Sequence, residues 1–355
     1  MQKLNFKQTY KLPFKFDIPN YIQSHIEQVS VIKRLLKFYR RYLYLIIKRQ
    51  KNLEIFSILP NHKKILWINI SAPSLGDSLM DLSSRVMIKD RKIDLFTDVK
   101  NHKLYLNDEY FNNIYTKIQN VKKRRYDLII IDSYSSRSIR VKSLIAPLTL
   151  FVGVFGFFNG PEVNRILFSF HKMNHLLGYP KLENEINNLA KNSISISTND
   201  HKIVDEIVPN NFIVIVLGGE WHYKTYNNWS KVIDQIILHD KDSRIIFIGS
   251  ANAKSTAKKL LNKYSQQNFL DFVERLSFKQ SIEVVRRAKV LLCCDGGLMH
   301  GANAIGAKSV TLFARLTPKM LITNHTNSFN LFDSKDVNNI LVEDIVDKYF
   351  EALKS

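Results

Sequence analysis

Three segments of the chain carry residue types at spacings that could handle a phosphorylated ligand. In CDGGLMHGANAIGAKSV (294–310) an apolar run ends at Asp295, two glycines follow, and a helical pattern starts near Leu298 with His300 in its first turn. Backbone N–H groups from Gly297 to Met299 would point out of that helix start, where the positive end of the helix dipole favours a diphosphate. Gly296 and Gly297 lack Cβ atoms and so allow close approach. Asp295 repels phosphate, which leaves it to accept hydrogen bonds from loop amides or from a sugar hydroxyl; the plainer reading is a tight turn with Asp295 as the helix N-cap.

The second segment, LGGEWHYKTYNNWSKVI (217–233), repeats the order of strand, two glycines (Gly218, Gly219), loop and helix. Lys224 in its loop can bring a mobile positive charge to a phosphate, although a loop lysine in so basic a chain is also simply a solvated charge. The third, SAPSLGDSLMDLSSRV (71–86), sets Gly76 and Asp77 at a helix start. Asp77 there is an N-cap, or a carboxylate facing a cleft that could take a proton from an acceptor hydroxyl.

The elements that must hold these loops read as two alternating sets. KILWINI (64–70), a helix to about residue 89, KIDLFTD (92–98) and YDLIIID (126–132) are continuous apolar runs separated by helical stretches. Such strands belong to a parallel sheet covered on both faces. The uncharged stretch 143–161 approaches membrane-spanning length, but Pro147, Gly153, Gly156 and the closing Asn159-Gly160-Pro161 predict a buried strand and turn. A second set runs from NFIVIVLGGE (211–220) through a helix at 229–239, the strand 244–250, a helix at 253–264, a short strand at 269–273, a helix at 280–288 and the strands 289–295 and 309–314. The expected organisation is a basic helical extension (1–63), an N-terminal Rossmann-like domain (64–195) and a C-terminal Rossmann-like domain (196–355), with a polar linker between about 179 and 210. In such sheets ligands bind beyond the carboxyl ends of the strands, where all three loops fall.

Composition narrows the function classes. The length of 355 residues exceeds one ordinary core, and 45% hydrophobic with 24% charged residues is globular. The only cysteines, Cys293 and Cys294, are adjacent and cannot build a disulfide framework, and the N-terminus lacks a signal-peptide pattern, so a reducing cytoplasm is expected. The formal charge of +20 calls for an anionic partner: nucleic acid, a membrane surface or a phosphorylated substrate. Residues 1–62 hold twelve Lys/Arg against Asp17, Glu27 and Glu54. Within them VIKRLLKFYRRYLYLIIKRQK (31–51) predicts a helix in which Lys33, Arg34, Lys37, Arg40, Arg41 and Lys48 share an arc of roughly 120°. Leu35, Leu36, Phe38, Tyr39, Tyr42, Leu43, Ile46 and Ile47 lie opposite, and that apolar side either packs on the body of the protein or meets a membrane.

Taken together, the three segments resemble glycosyltransferase family nine, the heptosyltransferases of bacterial lipopolysaccharide core assembly. The stretch SFKQSIEVVRRAKVLLCCDGGLMHGANAIGAKSVTLF agrees with the family pattern in Asp295, Gly297, His300, Ala302, Ala304 and Gly306, and SLGDSLMDL resembles its N-terminal S-x-G-D segment. The resemblance implies a GT-B fold, two Rossmann-like domains facing a cleft, and an inverting transfer without a metal or other cofactor. ADP-heptose would be the donor and an anionic, lipid-linked inner-core saccharide the acceptor. It implies Asp77 as catalytic base with Ser74 and Gly76 as acceptor contacts. The donor would be held by Gly218, Gly219, Lys224, the run from Asp295 to His300 (Gly296, Gly297, Leu298 and Met299 included) and Leu276, which would lie against the adenine. The chain departs from the family in having Gly296 where Ser or Thr is common, Lys224-Thr225-Tyr226-Asn227 where Lys-x-Trp-Pro is common, and no acid in SANAKS (250–255). Another nucleotide-sugar donor or a non-catalytic relative therefore stays open. A nucleic-acid-binding protein is the alternative from another class, but no nucleic-acid-binding motif is recognisable. With a glycolipid acceptor, the basic helix would contact the cytoplasmic leaflet of the inner membrane through Lys33, Arg34, Lys37, Arg40, Arg41 and Lys48.

Overall fold

The computed structural model describes residues 30–355 except 71, 123, 158–163, 179–180 and 265–267, together with the side chains of all but Val31, Arg34 and Glu183. The first 29 residues of the basic extension thus lie outside the described residues. The chain divides into two compact units between Lys191 and Asn192.

The first unit opens with helix α1 (Val31–Ile47), followed by β1 (Lys64–Asn69), α2 (Leu75–Asp81), β2 (Lys92–Thr97), α3 (Val99–Tyr105), β3 (Asn113–Tyr115) and α4 (Ile118–Val121). Then come β4 (Leu128–Ser133), α5 (Ser136–Ile145), β5 (Phe151–Gly156), α6 (Arg165–Leu176) and α7 (Glu183–Leu189). The strands form one sheet in the order β3-β2-β1-β4-β5, and every pair is parallel. Ile65 to Asn69 are all buried although alternate side chains point to opposite faces, so both faces of the sheet are covered. The apolar stretch expected to form a buried strand and turn supplies β5 as its strand, while the turn at 159–161 lies outside the described residues; a Cβ at Gly153 would collide with the Tyr134 ring at 2.4 Å. Glycine is required there by close packing of that ring.

Helix α1 belongs to this unit. Phe38 packs on Phe157 with ring centroids 4.6 Å apart, Leu45 enters the core, and Ile55 N–H donates to the Phe151 carbonyl at 2.9 Å. Arg41, grouped above with the outward basic arc, is only 4% exposed and donates to the carbonyls of Phe157 (2.8 Å) and Gly156 (3.3 Å). Its assignment as a membrane contact is therefore corrected: the guanidinium is drawn inward to the Phe157 carbonyl just past β5, and shares the Gly156 carbonyl with the Tyr134 N–H. The Arg34 side chain lies outside the described residues.

The second unit contains α8 (Thr198–Ile207), β6 (Phe212–Val216), α9 (Trp229–His239), β7 (Arg244–Ile248), α10 (Lys254–Lys263), β8 (Phe269–Asp271) and α11 (Phe278–Arg287). It continues through β9 (Leu291–Cys294), α12 (Gly297–Ala304), β10 (Ser309–Ala314), α13 (Pro318–Leu321), β11 (Ser328–Asp333) and α14 (Val342–Lys354). Its sheet runs β11-β10-β9-β6-β7-β8, again with parallel pairs throughout. Helix α11 starts with a capping box in which Gln280 N–H donates to Ser277 Oγ and Ser277 N–H donates to Gln280 Oε1. The segment read as a polar linker contains α7 and α8, which bury only Ile186 and Val204 at essentially zero exposure. A helix with so narrow an apolar stripe leaves little periodic signal.

Candidate active site

In both sheets the strand order reverses at one seam, and the candidate loops emerge there. In the first unit the seam lies between β1 and β4; in the second it lies between β9 and β6. Loops leaving adjacent parallel strands in opposite directions open a crevice at the strands' carboxyl ends.

The loop after β1 leads into α2. Ser74 is the N-cap: its hydroxyl oxygen accepts from Asp77 N–H at 3.2 Å, and the hydroxyl donates back to Asp77 Oδ2 at 2.6 Å. Asp77 is thus not the cap but the third helical residue, half-buried, with one carboxylate oxygen held by the cap. Ser74, expected to touch acceptor, has its hydroxyl engaged with Asp77, and Gly76 is buried in the helix.

Beneath this turn lies a buried polar network with no counterpart in the sequence reading. Asp81, one turn after Asp77, receives Arg165 Nε of α6 at 2.6 Å. Asp132 at the end of β4 receives Trp67 Nε1 at 2.6 Å and a bond from Asn69 Nδ2. Ser78 Oγ donates to Asn69 Oδ1 at 2.8 Å and lies 2.9 Å from the Tyr105 hydroxyl. Burial pushes Asp81 up to about 6 against the pull of Arg165, with Asp77 adding to the rise. Burial and neighbouring Asp81 likewise hold Asp132 well above the usual carboxylate range. For Arg165, burial opposes the charge, but Asp81 and Asp77 together raise its pKa further above the ordinary value. Asp77 therefore sits within electrostatic reach of the guanidinium that Asp81 holds. The helical spacing of Asp77 and Asp81 was the one available signal; Arg165 is 84 residues from Asp81 and gave none.

In the second unit the loops after β6 and β9 meet. Lys224 Nζ donates to Asp295 Oδ2 at 2.5 Å, with Lys224 17% and Asp295 4% exposed as side chains. His300 Nε2 lies 4.0 Å from Asp295 Oδ1. Two of the roles expected of Asp295 are not what this arrangement shows: it does not cap α12, and its carboxylate meets Lys224 rather than loop amides. The cap is Gly296, in extended conformation with no side-chain bond. A Cβ at Gly296 would meet only the Cys294 carbonyl, at 3.9 Å, so the protein leaves the space above that residue open. The Met299 side chain is fully buried, leaving it only its amide to offer, while Gly297 and Leu298 are half-buried.

Gly218 and Gly219 answer to the protein's own packing. Gly218 has φ +79° and a Cβ there would lie 2.7 Å from Asn252 Oδ1; a Cβ at Gly219 would lie 2.7 Å from the Lys224 carbonyl oxygen. Asn252 Nδ2 donates to the Gly219 carbonyl at 2.6 Å, so the loop after β7 braces the loop that carries Lys224. Arg315, in left-handed conformation after β10, stacks 3.6 Å from the centroid of Tyr223 and stiffens the same loop. Leu276 is half-buried on the turn between β8 and α11. The brace by Asn252 and the stack by Arg315 escaped the sequence reading because neither forms a local motif.

The family model of glycosyltransferase family 9 (heptosyltransferase) matches residues 158–336, half of the chain, including the loops after β6 and β9. No curated protein sequence matches. Among solved structures, a glycosyl transferase of family 9 from Veillonella parvula is 12% identical with a TM-score of 0.70, covering 84% of this chain and 99% of its own. ADP-heptose lps heptosyltransferase II of E. coli is 16% identical with a TM-score of 0.65, covering 82% and 98%. The E. coli heptosyltransferase WaaC with ADP is 14% identical with a TM-score of 0.63, covering 81% and 99%. At these identities the likeness is one of fold, the GT-B fold of two Rossmann-like units.

Proposed function

Since the chain belongs to glycosyltransferase family 9, the heptosyltransferase family, and is thus a glycosyltransferase, we propose that it moves a heptose from ADP-heptose to the inner core of a bacterial lipopolysaccharide or lipooligosaccharide. The reading gives Asp77 the role of general base in a single inverting displacement that needs no metal. Asp77 takes the proton of the acceptor hydroxyl, the hydroxyl oxygen bonds to the anomeric carbon, and the bond from that carbon to the diphosphate oxygen breaks. Ser74, by holding Oδ2, orients the carboxylate for proton transfer. Donor and acceptor of this kind put the reaction at the cytoplasmic face of the inner membrane.

The observation that carries the reading is the Lys224–Asp295 pair at the seam between β6 and β9, beside the uncapped start of α12. Without donor, Asp295 keeps the lysine ordered at the crevice. A diphosphate arriving at the amides of residues 297–299 offers Lys224 a stronger partner, and the ammonium then stabilises the charge that builds on the leaving group. Neighbours that bind ADP or an ADP-heptose analogue share this fold, which supports an adenine nucleotide. Gly296 removes a hydroxyl donor from the loop, so backbone amides and Lys224 carry phosphate recognition.

A thermal-shift comparison with ADP, UDP, GDP and CMP tests the donor, because a ligand that binds only the folded state raises the melting temperature. A rise confined to ADP is expected. A rise with UDP or GDP instead would replace the sugar nucleotide, and no rise with any of them would refute donor binding.

A further inference from the structure

We propose that α1 is a docking helix that lies in the surface of an anionic lipid bilayer, inserting the outward stripe of Ile32, Leu36, Tyr39, Leu43, Ile46 and Ile47. The inference stands apart from the transfer reaction, since it rests on a surface remote in sequence from the residues assigned to catalysis.

The helix has two apolar sides. Phe38 and Leu45, with the buried Arg41, form the side fixed to the first unit. The stripe occupies an arc of roughly 100° directly opposite, counting about 100° per residue. Ile32 is 69% exposed, Leu36 67%, Leu43 55% and Ile47 69%. Single exposed apolar residues are ordinary, but an unbroken row along one helix marks an interaction surface. The sequence allows the apolar side the body and a membrane in turn; the packing leaves enough of it outward for both at once.

Charge selects the occupant. Residues 31–51 hold eight Lys/Arg and no acid; Arg41 is turned inward and Lys51 pairs with Glu54, and the rest have no acid within the segment to offset them. Lys33 and Arg40 are exposed along one edge of the stripe, and Lys48 is exposed at its end. Apolar side chains flanked by cations suit the boundary between acyl chains and anionic headgroups. A second copy of the chain would set the same cations against each other. At about 1.5 Å per residue α1 is roughly 25 Å long, and no helix among the described residues is long and apolar enough to cross a membrane. It would lie flat.

The test uses the full chain and sedimentation with vesicles of phosphatidylcholine alone or of equal parts phosphatidylcholine and phosphatidylglycerol. Binding to the mixed vesicles is expected, at least about tenfold weaker to the neutral ones and weakened by salt. Leu36→Asp with Leu43→Asp should cut binding to mixed vesicles at least about tenfold while the melting temperature holds, because both residues face water. Should that variant misfold, Leu43→Cys carrying an environment-sensitive dye provides a second reading. Cys293 and Cys294 are both buried with thiols raised to about 12 and beyond, so labelling would be selective. A blue shift on adding mixed vesicles supports insertion. The proposal fails if wild type ignores both vesicles, if the apolar variant binds as well as wild type, if the dye does not shift, or if the variant only turns a dimer into a monomer.

Discussion

Replacing Lys224 by Met separates its two roles. The ammonium neutralises a carboxylate that is 4% exposed. Removing it leaves Asp295 buried beside the uncapped helix start, a loss of about 3 kcal/mol. In a domain of this size each kcal/mol moves the melting temperature by about 2–4 °C, so Lys224→Met should melt about 10 °C lower. It should also weaken ADP, because a charged hydrogen bond contributes about 1.5–3 kcal/mol, or about 10- to 150-fold in affinity. The double variant Lys224→Met, Asp295→Asn removes the stranded charge along with the lysine and should recover most of the stability. It cannot recover the cation. Calorimetric titration with ADP should therefore rank wild type first, the double variant second and Lys224→Met last, since only the last opposes the diphosphate with an unpaired carboxylate. A double variant that binds ADP as tightly as wild type would refute the reasoning and leave the pair a structural ion pair. A single variant that melts like wild type would refute the burial argument.

Asp77→Asn keeps an acceptor for the Ser74 hydroxyl but removes the base; transfer should fall at least about 100-fold, while the ADP-induced rise in melting temperature, measured on the same preparation, stays. Gly296→Ser should fold normally, because the residue is extended and a Cβ there has 3.9 Å of clearance, and its hydroxyl should tighten ADP in titration calorimetry. Lys142 is fully buried against Gln50 Oε1 and its pKa is lowered to about 8 by burial. The fold therefore gives up that proton more readily than the unfolded chain, stability rises with pH between about 8 and 10.5, and the cost is felt in full at neutral pH. Lys142→Met should gain up to about 3 kcal/mol at pH 7, read by denaturant titration, and flatten that alkaline rise. Asp81 holds its proton to about pH 6 against an ordinary 3.8, so its contribution is complete below that lower value and lost as pH rises through the upper one. Melting curves between pH 4 and 6.5 should show the first unit losing stability as pH rises through that window.

The long central strands were legible for a simple reason: β1, β4, β6, β9 and β10 are buried on both faces and therefore read as unbroken apolar runs. The edges were not. β3 has three residues with a mixed burial pattern, and β11 alternates too weakly to separate from a loop. Helix α14, with Ile345, Val346, Tyr349 and Ala352 buried at helical spacing, does carry a periodic pattern in its sequence. The loops that bear the candidate chemistry were identifiable because each follows a central strand, yet strand order was needed to see that β6 and β9 are neighbours. The bond from Lys224 to Asp295 spans 71 residues, and no local pattern announces it.

Helix α1 shows the same limit from the other side. Periodicity tells which residues share a face and says nothing about what the face meets. Arg41 and Arg40 are adjacent and chemically identical, but one lies against two carbonyls at the end of β5 and the other is exposed. Of the six basic residues on the arc, Lys33, Arg40 and Lys48 are exposed while Arg41 is buried, because carbonyls at the end of a sheet strand are a sink for a guanidinium as good as any headgroup. The broad apolar side was likewise divided by the width of the body it packs on. A helix apolar over half its circumference cannot bury all of it on one sheet edge, and the remainder must either meet water or meet a second apolar phase.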